Sequence, residues 1–460
     1  MSPAGLDFFK HSLIGFSGRR HLGRVSELVG MTLVVSGLPA RCGEMVEIYA
    51  PDRSVPGEVV GFRNEQALVM PLGNADGLAA GTEVRALGHS FSISCGDFLL
   101  GRVLDGLGNP MDSLEQLPLH NMQSIDSAPP SPMQRTPIAR RLGLGVRAMD
   151  TLVPCGRGQR LGIFAGSGVG KSSLLGMIAR GSSAQVNVIC LVGERGREVQ
   201  EFIADHLGEE GLSRSVVVAA TSDRPALERL KALSVATTIA ESFRDQGKDV
   251  LLMCDSLTRL AMAQREIGLA IGEPPATRGY PPSVWAVLPQ LLERAGANQV
   301  GSITGLYTVL VEGDDMNEPI ADASRAILDG HIVLSRDLAH RNHYPAIDVL
   351  ESVSRLQGSL LEPQVLQAGG QLRELLAAYR SRQDMIALGA YQHGTEPEVD
   401  RAISLNTAIN SFLRQSTNDL IPESQSDQEL IHLINSTETA LHEAETGNDI
   451  PLMPTLANNQ

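Results

Sequence analysis

Residues 161–175, LGIFAGSGVGKSSLL, constrain this chain more than any other stretch. A short apolar run gives way to glycines at 166, 168 and 170 and then to helix-forming residues. Strand, glycine loop and helix in that order are the setting of a phosphate-binding loop. Glycine lets backbone amides approach an anion closely, and the helix that follows offers free N–H groups and a positive dipole end. The candidate phosphate site is therefore Gly166, Ser167, Gly168, Val169 and Gly170 with Lys171, Ser172 and Ser173. Lys171 supplies a point charge for the outer phosphates, and the Ser172 hydroxyl can ligate Mg2+. Ala165 stands where the G-x-x-x-x-G-K-[ST] pattern has its first glycine, which ordinary backbone angles there would tolerate. A glycine-rich turn that binds nothing is the alternative.

The alternation around this loop extends over about 145–365. Near-continuously apolar runs at 160–165, 187–193, 215–220, 249–254, 302–311 and 331–335 read as strands covered on both faces of a parallel sheet. Helical patterns at 172–180, 198–207, 225–246 and 257–270 lie between them. The fold class is α/β, a doubly wound domain whose ligands sit at the carboxyl ends of the strands.

The flanks differ. From 22 to 90, short strand candidates at 32–37, 44–50, 57–62, 66–71 and 83–87 with turns between them suggest a small N-terminal β-barrel. A Gly-, Pro- and Ser-rich linker covers 105–137, and the end of the chain reads as helices at 371–389, 397–414 and 426–446. The expected division is 1–21, an amphipathic start; 22–92, the barrel; 93–368, the α/β domain; and 369–460, a helical domain. In the start, Leu6, Phe9, Leu13 and Phe16 form one apolar helical stripe, with Lys10, Arg19 and Arg20 off it. Packing on the next domain, a partner protein and a membrane surface all suit such a stripe.

Composition removes several classes. Hydrophobic content of 42% with 20% charged residues is that of a soluble globular chain. No run approaches the roughly eighteen apolar residues of a membrane span, and the start lacks a secretory signal's pattern. Five scattered cysteines without a C-x-x-C pair point to reduced thiols in the cytoplasm rather than disulfides or zinc. A net charge of −15 with 4% aromatics argues against nucleic acid as a partner. After Arg414 no Lys or Arg follows, only eight acids, expected to form a solvated helical surface.

Three further places can carry chemistry. Asp255 ends the apolar run 250–254, where it can meet the loop's Mg2+ directly or through water. Glu194 directly follows another buried-strand candidate, where a carboxylate can polarise an attacking water; Glu198 falls on the next helix, and Arg197 and Glu198 suit alternating surface ion pairs. In 343–355, HYPAIDVLESVSR, Tyr344 and Arg355 stand in a segment expected as polar loop. Tyr344 can stack on a base or be a half-buried loop tyrosine. Arg355 can neutralise transition-state charge as an arginine finger in a neighbouring subunit's site.

Together these residues resemble the catalytic subunits of rotary ATP synthases, and more closely the ATPases of type III protein export. The resemblance is carried by Pro345-Ala-Ile-Asp348 with Ser352-Val-Ser354, by 164–172 and 193–199, by Ile327–Ser335, and by Ala263–Gly268 with Gly272–Ser283. It covers the chain from Leu100–Gly106 to about 395. Asp255–Gln264 and Pro274–Arg278 look like the flagellar ATPase, while Thr221–Pro225 is also similar to virulence-system relatives.

The resemblance implies a RecA-like P-loop core that hydrolyses ATP with Mg2+. Lys171 and the loop amides would hold phosphates, and Ser172 and Asp255 would organise Mg2+. Glu194 would be the catalytic carboxylate, with Arg195 nearby, where non-catalytic synthase subunits have Gln. Arg355 would act in trans and Tyr344 would stack on adenine. It implies a homo-oligomer, expected as a hexameric ring, with the loop 272–282 lining the pore and meeting a stalk-like protein. The amphipathic start would dock a regulator of the export apparatus, at the cytoplasmic face of the inner membrane, near an export gate and substrate–chaperone complexes. The expected function is a flagellar export ATPase. The alternatives are an injectisome ATPase and a catalytic subunit of a proton-driven synthase; an RNA translocase is disfavoured by the acidic charge.

Overall fold

A computed structural model describes residues 22–446 apart from 312 and 314, so the amphipathic stripe at 1–21 lies outside the described residues. The barrel comprises β1 (Leu22–Val29), β2 (Thr32–Ser36), β3 (Glu44–Tyr49), β4 (Ser54–Arg63), β5 (Gln66–Pro71) and β6 (Glu83–Ser90). They close in the order β1-β2-β5-β4-β3-β6, with β6 returning to β1. β1 was not among the five expected strands. It buries only Gly23 and Val25, too short an alternation to announce a strand. Val25, Leu33, Val35, Val46, Ile48, Val59, Val69 and Val84 fill the barrel.

The central sheet runs Ile347–Ser354, Gly330–Leu334, Arg160–Ala165, Ser302–Leu310, Asp249–Asp255, Val186–Val192, Ser215–Ala220, Val103–Asp105, with the short Gly296–Ala297 beside Ser302–Leu310. Along that path all pairings are parallel except that of Ile347–Ser354. The six expected strands are present within one or two residues of their expected ends. Both edge strands are additions. Val103–Asp105 begins just before the expected linker, and Ile347–Ser354 replaces the expected polar loop. An edge strand is half exposed and so loses the apolar run that betrays a central one; Val353 is 46% exposed.

Successive residues of the loop strand serve opposite cores. Leu161, Ile163 and Ala165 join one apolar cluster with Leu174, Ile178 and Leu191. Phe164 joins the other with Val188, Leu233, Phe243 and Leu257. A sheet buried on both faces holds its strand ends rigidly, and truncating Phe164 to Ala would cost about 3–5 kcal/mol.

The C-terminal helices Pro363–Ala387, Pro397–Leu413 and Glu423–Thr446 pack on each other and on the short helix Arg147–Leu152 through Leu372, Leu405 and Leu430. The expected boundary at 368/369 falls inside the first of them. The acidic end is not simply a solvated surface. Arg141 grips Asp427 through two N–H groups at 2.7 and 3.0 Å and meets Glu423 at 3.2 Å. Arg147 meets Glu429 at 2.8 Å.

Candidate active site

The carboxyl ends of the loop strand and its neighbours open on a cleft of about 640 Å3. Ala165 is the last residue of its strand, paired with both Leu310 and Leu334. It therefore has strand backbone angles that any residue adopts, and no glycine is needed there. Gly168 and Gly170 differ, with φ of 77° and 89°, which L residues with a Cβ avoid. Gly170 caps the helix Lys171–Gly181, whose first N–H groups have no intrahelical acceptor. The loop from Gly166 to Gly170, with Lys171, Ser172 and Ser173, lines the cleft around that helix start, Val169 being buried beneath it.

Lys171 lies between two carboxylates. Its Nζ donates to Asp255 Oδ1 at 2.5 Å and stands 3.6 Å from Glu194 Oε1. Thr308 Oγ1 donates to the same Asp255 oxygen at 2.6 Å. Asp255 is 5% exposed, placed by the end of its strand. Directly after it, the Ser256 side chain caps the helix Leu257–Ile271 by accepting from the Arg259 N–H. One turn into that helix, Arg259 Nε stands 3.3 Å from Glu194 Oε1. Gly193 makes room for it, since a Cβ there would come within 2.7 Å of Arg259 Cδ.

Burial is the main force on Glu194 and pushes its carboxyl up to about 7; Lys171 and Arg259 pull it down, while Asp255 and a hydrogen bond shared with Glu198 push it up. That shared bond is in turn the largest influence holding Glu198 below its ordinary value. Glu194 Oε1 is buried yet accepts no hydrogen bond with good geometry. A buried carboxyl oxygen with spare acceptor capacity is suited to a polar guest such as water.

The other expected residues divide. Tyr344 packs its ring on the loop, so close that a Cβ on Gly170 would come within 3.2 Å of it, and it is 40% exposed. Arg195 lies at the rim of the cleft, its N–H and Nη1 turned to Glu198 at 3.3 and 3.0 Å rather than to Glu194. Arg355 is not in this cleft. Ile347 lies level with Leu334 and Ala165 at the carboxyl end, whereas Ser354 pairs with Gly330 at the other. Eight residues of strand place exposed Arg355 roughly 25 Å away, where Nη2 donates to the Arg325 carbonyl.

Arg259 and Thr308 carry no site signal of their own in the sequence. Arg259 follows Asp255 by four residues, and Thr308 is a polar residue in an apolar run, signals visible only once the strand ends are placed. The residues present fit a hard cation held with phosphate. Ser172 and Asp255 are oxygen donors, and among the described residues no group of three His, Cys, Asp or Glu could hold a metal alone. Phosphate oxygens would have to complete such a site.

The nucleotide-binding domain model of the ATP synthase alpha/beta family matches residues 145–354, and that family's beta-barrel domain model matches 25–88. The model of the T3SS EscN ATPase C-terminal domain matches 361–432. The chain is 52% identical over 404 residues to the flagellum-specific ATP synthase of Bacillus subtilis (strain 168), covering 87% of this chain and 92% of that one. It is 51% identical over 405 residues to the type 3 secretion system ATPase of Xanthomonas euvesicatoria, covering 88% and 91%. The assembled ATPase EscN from the enteropathogenic E. coli type III secretion system, 46% identical, superposes with a TM-score of 0.85, covering 90% of this chain and 100% of that chain. EscN in complex with its central stalk EscO superposes at 0.83.

Proposed function

Since this chain belongs to the ATP synthase alpha/beta family, in the branch of the flagellum-specific and type 3 secretion ATPases, we propose that it is the ATP hydrolase of a flagellar protein export apparatus. Hydrolysis would be coupled to release of substrates and chaperones and their entry at an export gate. The observation that carries this reading is the cluster of Lys171, Glu194 and Asp255 in one cleft at the strand ends.

Each group has a task there. The loop amides and Lys171 bind the triphosphate, the helix start adding its positive end. Glu194, held by Arg259 and Lys171, orients the attacking water and accepts its proton. Ser172 and Asp255 would hold Mg2+, which when bound neutralises charge on the outer phosphates. Tyr344 offers a face to the base, and Arg195 guards the rim through Glu198. Arg355, far from its own cleft, serves the neighbouring subunit's in a ring, proposed as a homohexamer.

The wider assembly follows from the relatives. EscN assembles and takes a central stalk, which supports a stalk-like partner in this ring's pore at the loop 272–282. A regulator at residues 1–21 and attachment to the cytoplasmic face of the inner membrane belong to the same reading; among the described residues no helix is long and apolar enough to cross a membrane. Near-equal identity to flagellar and secretion relatives keeps an injectisome ATPase as the second reading, which the adjoining genes decide. The mechanism is tested with purified Lys171→Ala and Glu194→Gln proteins. Both should lose Mg-dependent ATP hydrolysis, and intact turnover in either would overturn it.

A further inference from the structure

Gln415 ties both ends of the phosphate-loop helix to the C-terminal helices. Its main-chain N–H donates to the Tyr344 carbonyl at 3.0 Å. Its side chain accepts from the Arg147 N–H at 2.9 Å and donates to the carbonyls of Gly145 at 2.7 Å and Asp419 at 2.6 Å. The residue is 6% exposed. Tyr344 lies on Gly170, the cap at the start of the helix Lys171–Gly181. Gly145 lies backbone to backbone against Gly181, its last residue, where a Cβ on Gly145 would come within 2.8 Å of Gly181 Cα. One buried residue thus touches, through one intermediate each, both ends of the helix that cradles phosphate.

Tyr344 also borders the C-terminal domain. A cleft of about 660 Å3 opens there between Asn342 and Tyr344 on one side and Thr407, Ser411, Arg414 and Ser416 on the other. The wall across from Asn342 and Tyr344 therefore belongs to the helix Pro397–Leu413 and the turn after it, and Gln415 bonds to both walls.

We propose that Gln415 is a positioning residue through which the C-terminal helical domain sets how tightly the site holds the nucleotide base, without touching the nucleotide. The proposal rests on the reading of Tyr344 as the base platform. A buried amide with its acceptor and both donors engaged is held in one orientation. Without it, the Gly145 carbonyl and Arg147 N–H lose their partner and the 414–419 turn is released. The backbone bond to Tyr344 then no longer has a fixed origin, and the ring loses its register over the loop. Coupling is reciprocal, so base binding stiffens the docking of the C-terminal domain in turn.

The test separates base from phosphate. Binding of ADP and of inorganic tripolyphosphate, each with Mg2+, is measured on the full chain carrying Gln415→Ala, Gln415→Glu or Tyr344→Ala. Gln415→Ala should weaken ADP roughly tenfold, the effect of about one lost hydrogen-bonded contact, and leave tripolyphosphate within about twofold. KM for ATP should rise while kcat stays close to the parent value. Gln415→Glu keeps the acceptor for Arg147 and loses both donors, so its loss should be intermediate. The Gln415→Ala, Tyr344→Ala pair should bind ADP no more weakly than Tyr344→Ala alone. Equal weakening of ADP and tripolyphosphate, or additive losses in the pair, overturns the proposal. An unchanged ratio of the two affinities in Tyr344→Ala overturns the base-platform reading and the proposal with it. A changed ratio there with none in Gln415→Ala overturns only the role of Gln415.

Discussion

Lys171 Nζ stands 2.5 Å from Asp255 Oδ1, so the cation proposed for the outer phosphates is also the counter-ion of the carboxylate proposed for the metal. It is the nearer of the two cations to neither Glu194 nor solvent: Arg259 is closer to Glu194, and the lysine side chain is largely enclosed. Lys171→Ala should therefore do more than abolish hydrolysis. Two carboxylates would remain in a half-closed cleft with one counter-ion lost, an arrangement that costs about 1–3 kcal/mol. Glu194 also loses the largest influence that lowers its pKa, so folding should favour the protonated acid still more. The penalty should be larger at pH 8 than at pH 6. Thermal unfolding at the two pH values checks this, and an equal penalty at both would count against the shared counter-ion.

The carboxyl of Glu194, pushed up by burial to about 7, dictates the pH profile. Below that value it is mostly protonated and cannot take a proton from water. The acid limb of kcat/KM should thus have its midpoint near 7, well above an ordinary glutamate. Arg259→Gln removes a cation that lowers this pKa and should move the midpoint upward. A limb near 4.5 in the parent protein would contradict the assignment of Glu194 as base.

Stability carries the opposite sign at the same residue. A carboxyl whose pKa is higher folded than unfolded binds its proton better in the folded state, so stability falls as pH rises through the window from about 4.5 to 7. Glu194→Gln should then be more stable than the parent at pH 8, by on the order of 1 kcal/mol, and no more stable at pH 4. Denaturant melts at both pH values test it. The expected gain accompanies loss of turnover, the trade of stability for activity common to such sites.

What could be read in the sequence was whatever is local. The phosphate loop is a contiguous motif, and the six central strands are apolar runs because both of their faces are covered. Asp255 and Glu194 could be found because they end such runs. Ile347–Ser354 could not, since an edge strand shows water a face, and β1 buries too little to stand out. Arg259 and Thr308 meet the carboxylates only through neighbouring strands and a helix cap. The pairing of Arg141 with Asp427 spans 286 residues, and nothing in either neighbourhood names the other. Tertiary proximity decided each of these.

Arg355 sits at the far end of the sheet from its own phosphate loop, so a role in hydrolysis requires a second subunit. Arg355→Ala and Glu194→Gln proteins, each inactive alone, should regain part of the parent turnover when mixed, because some interfaces then pair an intact Arg355 with an intact Glu194. Specific activity of the parent should also rise with protein concentration as subunits associate. Strictly additive inactivity in the mixture, under conditions where scattering shows mixed assemblies, would exclude a shared site.

The carboxylates after Arg414 should behave as a clasp rather than a solvated face. Arg141 holds Asp427 through two N–H groups and gives a third contact to the Asp150 carbonyl, and its side chain is only 12% exposed. Planar, two-pronged pairs at this depth are less screened by salt than exposed ones. Asp427→Ala leaves Arg141 with Glu423 and should cost about 1–2 kcal/mol, while Arg141→Ala strands two acids and a carbonyl and should cost about 3 kcal/mol. The double mutant should lose less than the sum of the two, with a coupling of about 1–2 kcal/mol. Because the clasp joins the C-terminal helix to the segment that leads into Arg147, whose N–H donates to Gln415, its loss should broaden the unfolding transition as well as lower it. Urea denaturation at fixed protein concentration and at two salt levels measures all of this. A coupling near zero, or one that vanishes in high salt, would return the acidic end to a solvated surface.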